Sequence, residues 1–352
     1  MRRRIPLACF ASLAVLFAAP PASAKNCSGI FSTCIDDDNL WPHAGPARFV
    51  AVGSTETVAP GQIAFGLAST YLHAPIVIET NIGPTAQTQQ YVVKDQVNGT
   101  FLWSYGVTDR LELDLAVPIT FGQGGGGLSA ITGGEGLKDT AVRDMRFGFA
   151  YALLPHARVA PDASPRSFGL LYRLEVSAPT GDSDQFAGER SGVFIPSLAA
   201  DWRSGRFMVG AEVGARIRPT TELVGNRVGT QLVTALGAGY DLLARRELLV
   251  VTAEVWSLPT FSEQHTVTEP FPGTYISSPD GKTIAPTEWQ LALRSAPTKS
   301  GDLSIQLGGG TSIPITAKAI TEPDFRFTLS VRWAPTGRAV VPVAAPASSP
   351  AP

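Results

Sequence analysis

An all-β fold, a closed antiparallel transmembrane β-barrel of about 12 strands, is the architecture this sequence predicts. Three observations predict it. Between residues 62 and 333, stretch after stretch of about ten residues alternates apolar and polar side chains, and almost every one carries ionisable groups on its second face. The connections between the stretches alternate between short and long, and aromatic residues gather at the stretch ends. Residues 110–121 show the pattern best: Leu111, Leu113, Leu115, Val117, Ile119 and Phe121 fall on one side, and Glu112, Asp114 and Thr120 on the other. Successive strand side chains point to opposite faces, so each stretch has one oily and one wet side. A soluble sandwich would bury the oily side in a second layer, but nothing in the chain supplies a second core.

Residues 1–24 read as an export signal: Arg2, Arg3 and Arg4 precede an apolar run at 5–19, and Ala22-Ser23-Ala24 is a small-residue cleavage site. The expected location is the outer membrane, reached after that export. Losing three arginines leaves 25 basic against 30 acidic residues, so the mature chain is acidic, and no basic stripe suits nucleic acid. Residues 25–60 are expected to form an N-terminal periplasmic segment. Cys9 leaves with the signal, and Cys27 and Cys34 are placed to close a small disulfide loop in an oxidising compartment. Residues 61–334 form the barrel. Residues 335–352, rich in Ala, Pro and Ser, have the composition of a disordered tail.

Taken in order, the strands are expected at 62–72, 96–105, 111–121, 143–153, 168–178, 194–203, 207–218, 232–242, 248–258, 288–295, 303–313 and 325–333. The first turns Ile63, Phe65, Leu67 and Tyr71 outward, and the second Val97, Phe101, Trp103 and Tyr105. In the remainder the inward, lumen-lining set is Glu112, Asp114, Asp144, Arg146, Arg173, Glu175, Asp201, Glu212, Arg216, Arg218, Asp241, Glu254, Glu288, Arg294, Arg326 and Arg332. Ten or fourteen strands also fit the pattern, with 49–58 a further candidate and 76–79 an extension of the first.

The connections at 107–109, 203–205 and 243–246 are short, and those at 74–94, 122–140, 180–192 and 258–286 are long; 155–166 is an exception, a longer connection on the short-turn side. Outer-membrane barrels have short periplasmic turns, longer outer loops and an even strand number. Unpaired backbone groups cost several kcal/mol each in hydrocarbon, so the first and last strands are expected to pair. Trp103, Tyr105, Tyr151, Trp202, Tyr240, Trp289 and Trp333 lie near strand ends, where headgroup-level rings belong.

The mixed acids and arginines of the inner face admit two functional readings. One is a polar pore giving passive or weakly selective passage to small solutes, with no strong ion selectivity since neither sign dominates. The other is a structural or surface-interaction barrel whose lumen is plugged by salt bridges. An enzyme is not expected: His43, His73, His156 and His265 lie in scattered places with no recognisable serine partner. No cofactor and no metal is expected. The glycines around 124–136 lack phosphate-loop spacing, and Asp36, Asp37 and Asp38 lack the alternate-position ligands of a calcium loop, which leaves a solvated acidic turn. Outer-membrane lipids and small solutes are the expected partners, and the oligomeric state is left open.

Residues 101–118, with Gly106-Val107-Thr108-Asp109-Arg110 between two strands, resemble the strand, turn and strand of outer-membrane barrels in the OmpA-like and phenol-degradation transporter-like groups. Residues 144–148 and 174–182 echo them. The resemblance implies barrel architecture and no particular solute. Many OmpA-like members continue into a peptidoglycan-binding domain, whereas here the alternating stretches are followed by the Pro/Ala tail, so no peptidoglycan anchor is expected.

Overall fold

A computed structural model describes residues 27, 29–81, 87–132, 136–156, 167–243, 247–265, 267–268, 274–276, 281–298, 301–316 and 318–335. Twelve strands build the barrel: β1 Ile63–Asn81, β2 Gln87–Gly106, β3 Leu111–Gly124, β4 Arg146–Leu154, β5 Ser167–Ser177, β6 Val193–Ser204, β7 Phe207–Arg216, β8 Gln231–Asp241, β9 Val250–Ser257, β10 Thr287–Ser295, β11 Leu303–Ser312 and β12 Phe325–Trp333. Each pairs antiparallel with the next, and β1 also pairs with β12, from Phe65 opposite Trp333 to His73 opposite Phe325. That last pairing leaves no open edge, as a sheet in hydrocarbon requires.

Burial follows the alternation. Along β12, Phe327, Leu329, Val331 and Trp333 are exposed on the outside, while Arg326, Thr328, Ser330 and Arg332 are buried inside. A sandwich would reverse this. The outer band on β1 runs from Ile63 to Tyr71, where the Tyr71 hydroxyl donates to Asp95 at 2.7 Å and His73 meets the same carboxylate at 2.8 Å. Nine residues at about 3.3 Å each, tilted by about 40°, cover about 20–25 Å, the height of the apolar belt of such barrels.

Above that level β1 and β2 continue as a paired hairpin. The expected loop at 74–94 is therefore largely strand, with register shifts around Ile76 and a left-handed Ala74 (φ +51°) absorbing the change of course. The hairpin forms because Ile76, Ile78, Val92 and Val93 bury against Phe186, Leu223 and Ile35. At the opposite end the turns are tight. Thr108 Oγ accepts the backbone N–H groups of Arg110 and Leu111, and Gly205 (φ +60°) lets β6 reverse into β7.

The sequence predicts an N-terminal segment standing apart in the periplasm; the structure instead places residues 29–60 inside the barrel. Cys27 and Cys34 are disulfide-bonded, with Cα atoms 5.3 Å apart, beside the long loops. Phe31 bridges to Leu223 there, whereas Pro60 bridges to Gly106 at the short-turn end. The chain between threads the lumen lengthwise, and 49–58 is part of this thread rather than a further barrel strand. Twelve strands about 4.8 Å apart at that tilt enclose a cylinder about 24 Å across, too wide for wall side chains alone to fill. Residues 1–26, 336–352 and most of the 155–166 connection lie outside the described residues.

Candidate functional site

The lumen is the site, and the segment inside it meets the wall in successive layers. Nearest the long loops, Asp36 and Asp37 pair with Arg143, Asp37 at 2.9 Å. Asp38 pairs with Arg326 at 2.6 Å and accepts from Thr70 and Asn98. The three aspartates are buried, which corrects the solvated turn the sequence predicts; the wall arginines that pair with them lie more than a hundred positions away. Burial raises the Asp37 carboxyl to about 7, with Arg143 only partly offsetting it. For Asp38 burial works the same way, but Arg326 and Arg143 outweigh it and hold the carboxyl at about 2.

One layer down, Trp41 lies between two guanidiniums, Arg216 at 3.9 Å and Arg146 at 5.1 Å from the ring centroid. These arginines also donate to the carbonyls of Asn39 and Pro42. Below them His43 bridges two wall carboxylates, Nδ1 to Glu175 at 2.9 Å and Nε2 to Glu212 at 3.1 Å. Burial alone would discharge the ring; Glu212 foremost, with Glu175, overcomes both that and nearby Arg173, raising the pKa. Trp41, His43, Glu175, Glu212 and Arg216 line a cavity of about 30 Å³, which has room for water and not for a solute.

In the lower half wall acids take the segment's backbone. Val50 and Ala51 N–H donate to Glu254, Gly53 N–H to Glu212 at 2.6 Å, and Val58 N–H to Glu112 at 2.7 Å. Close approach demands glycine twice: a Cβ on Gly45, already at φ +78°, would lie 2.8 Å from Glu112, and one on Gly53 would lie 2.6 Å from Arg173. Phe49 fills the space over Gly210 and Gly237. At the exit Arg48 joins Glu56 and Glu247, and Arg203 joins Glu56. Burial opposes ionisation of Glu56, yet Arg203 and Arg48 hold its carboxyl well below the usual range.

All sixteen residues expected to face the lumen are buried. The structure gathers most of them around the segment and sets others to different tasks. Asp144 and Arg218 lie just outside the strands the sequence assigns them to. Asp144 accepts the N–H groups of Gly181 and Glu189, and Arg218 pairs with Glu189, so both staple a long loop. Asp241 accepts from Leu243 and Glu247 and ties a turn. Glu288 holds Arg326, Arg294 reaches Glu247, Arg332 donates to the His43 carbonyl, and Arg173 lies near Glu112 and Asp114. The segment's own side chains, Arg143, and the inward amides Gln96 and Asn98 are the functional residues that strand patterning misses.

One constellation departs from the expectation that no histidine has a serine partner. His156 Nδ1 meets Ser167 Oγ at 2.8 Å, and Nε2 meets Asp201, whose other oxygen accepts from Arg203. All three are buried, and the set clamps β5 to β6 through a histidine two residues beyond the end of β4. Among the described residues no group of three or more His, Cys, Asp or Glu is placed to hold a metal ion.

No family model and no curated protein matches the chain. Among solved structures it is similar to an outer membrane channel from Pseudomonas putida F1, with 15% identity and a TM-score of 0.49 over 81% of this chain and 99% of that one. It is also similar to a Pseudomonas aeruginosa FadL homologue, at 13% and 0.41 over 84% and 99%. The toluene transporter TodX of P. putida follows at 11% and 0.38 over 80% and 91%. The barrel architecture itself stands on the chain's own strand pairing; the OmpA-like resemblance stays an expectation.

Proposed function

We propose that this protein is an outer-membrane barrel with a plugged channel, one that passes small solutes only when its N-terminal segment yields. The observation that carries this reading is the ladder of buried ion pairs between residues 36–56 and the wall, from Asp36 with Arg143 to Glu56 with Arg203. It supports a closed resting state over an open porin. The oily outer band and the export signal favour the outer membrane, with the long loops outward and the short turns in the periplasm. The segment's hold combines an apolar patch, Leu40, Phe49, Val50 and Val52 against Met208, Ala235, Val250 and Trp256, with many ion pairs and hydrogen bonds; water can replace the polar share as the segment withdraws, which favours a gate over permanent filling.

Planar-bilayer recording of the refolded protein tests this. Wild type is expected to be nearly silent, and variants with weakened segment contacts are expected to show discrete steps. Silence in every such variant with the barrel intact would favour the alternative, a structural or surface-interaction barrel.

A further inference from the structure

Arg143 is buried inside the barrel, and among the described residues its carboxylate partners are Asp36 and Asp37, both on the segment. Its contacts with the wall are to neutral oxygens, Asn98 Oδ1 at 3.2 Å and Thr120 Oγ1 at 3.3 Å. Beside it, Arg326 shares its charge between Glu288 and Asp38. The wall adds neutral donors aimed at the same carboxylates: Gln96 Nε2 to Asp37 at 2.8 Å, and Asn98 Nδ2 and Thr70 Oγ1 to Asp38 at 2.9 and 3.0 Å. These side-chain donors all belong to the barrel, and the carboxylates they meet belong to the segment except Glu288; Gln96 and Asn98 each keep a second, neutral acceptor on the wall, Gln123 Oε1 and Gln96 Oε1. Withdrawal of the segment would leave the Arg143 guanidinium in the lumen with no counter-charge and three neighbouring donors each short of one partner, a cost that an incoming anion relieves.

We propose that Arg143, Arg326, Thr70, Gln96 and Asn98 form a carboxylate-binding cradle on the barrel wall, which the triple aspartate fills in the closed state and a small carboxylate solute takes when the segment withdraws. The second half of this rests on the plugged-channel reading; the cradle itself does not. The planar, bidentate guanidinium fork suits a carboxylate, and two forks with separate donors suit a dicarboxylate.

Chemical rescue tests the cradle in the full-length chain. The Asp36→Ala/Asp37→Ala variant removes both carboxylates beside Arg143 and leaves space where they lay. Its heat-unfolding temperature is expected to fall in potassium chloride and to regain at least half the loss in potassium acetate of equal ionic strength. Adding Arg143→Gln to that variant is expected to abolish the acetate effect. Equal curves in acetate and chloride, or an acetate effect that survives Arg143→Gln, would overturn the cradle. If the double variant does not refold, Asp37→Ala alone carries the same comparison. For passage, succinate is expected to reduce chloride current at least tenfold through a barrel with a loosened segment, and an undiminished current would overturn the solute assignment. Rescue by acetate with a silent bilayer would remove the channel and keep the cradle, and conduction without rescue would do the reverse.

Discussion

His43 is the point where the segment is most economically loosened. Replacing it with leucine removes the cation between Glu175 and Glu212, both buried, and leaves Glu212 with the Gly53 N–H. Breaking a buried ion pair by removing one partner costs about 3–5 kcal/mol. Arg173, which lies close enough to act on both carboxylates, compensates part of this, so the low end applies, about 3 kcal/mol. That penalty falls on the closed state, because both carboxylates are hydrated once the segment leaves. At about 1.4 kcal/mol per factor of ten, the open-to-closed ratio should rise about a hundredfold. Single-channel open probability in planar bilayers reads this directly, with heat-modifiable migration on gels confirming an intact barrel. An open probability within threefold of wild type, in a barrel that folds normally, would refute the view that the histidine clamp holds the segment.

Acidity should act on the same equilibrium. His43 binds its proton more tightly when closed than in solvent, so its contribution is complete below about pH 6.5 and is lost as pH rises through the raised value. Asp37, raised to about 7, acts in the same direction: closed-state stability declines between about pH 4 and 7 as the carboxyl loses its proton. Asp38, held at about 2, acts oppositely, its contribution present above about pH 4 and lost below it. Open probability should therefore rise on the alkaline side, and His43→Leu should flatten that rise above pH 6.5; a wild-type profile flat from pH 5 to 9 would count against both groups. Trp41→Ala removes the ring between Arg146 and Arg216, contacts worth about 0.5–2 kcal/mol each, and should raise open probability at least threefold in the same recordings. Leu291→Arg, on the outer face, should lower barrel stability by about 2–4 kcal/mol in urea titrations in lipid, whereas an unchanged midpoint would mean that this face does not meet hydrocarbon.

The strands were legible because a wall with oil outside and charge inside imprints a period of two along 111–121 or 325–333, whatever lies within. Most of their ends shifted by a few residues; above His73 the sequence offered 76–79 as an extension of the first strand, which the structure bears out, but not the rest of the hairpin, because beyond the membrane its apolar residues answer to Phe186 and Ile35 rather than to lipid. The inward faces were legible as well, for the same reason. The occupant of the lumen was not. Residues 31–60 have no periodicity, since each side chain meets a different stretch of wall, and the contacts that hold them join His43 to Glu175 and Asp38 to Arg326 across separations of 132 and 288 residues. An acidic triplet looks solvated until the arginines opposite it are known.

The seam between the first and last strands has a consequence for assembly. The interior is finished by β12, since Arg326 meets Asp38 and Arg332 reaches the His43 carbonyl across sequence separations of 288 and 289 residues. Contacts so remote form late, because the intervening chain must be ordered before they contribute. The protein therefore has to wrap its sleeve around the dowel, and translation products lacking their final ten residues before the tail would hold a cylinder neither zipped nor filled.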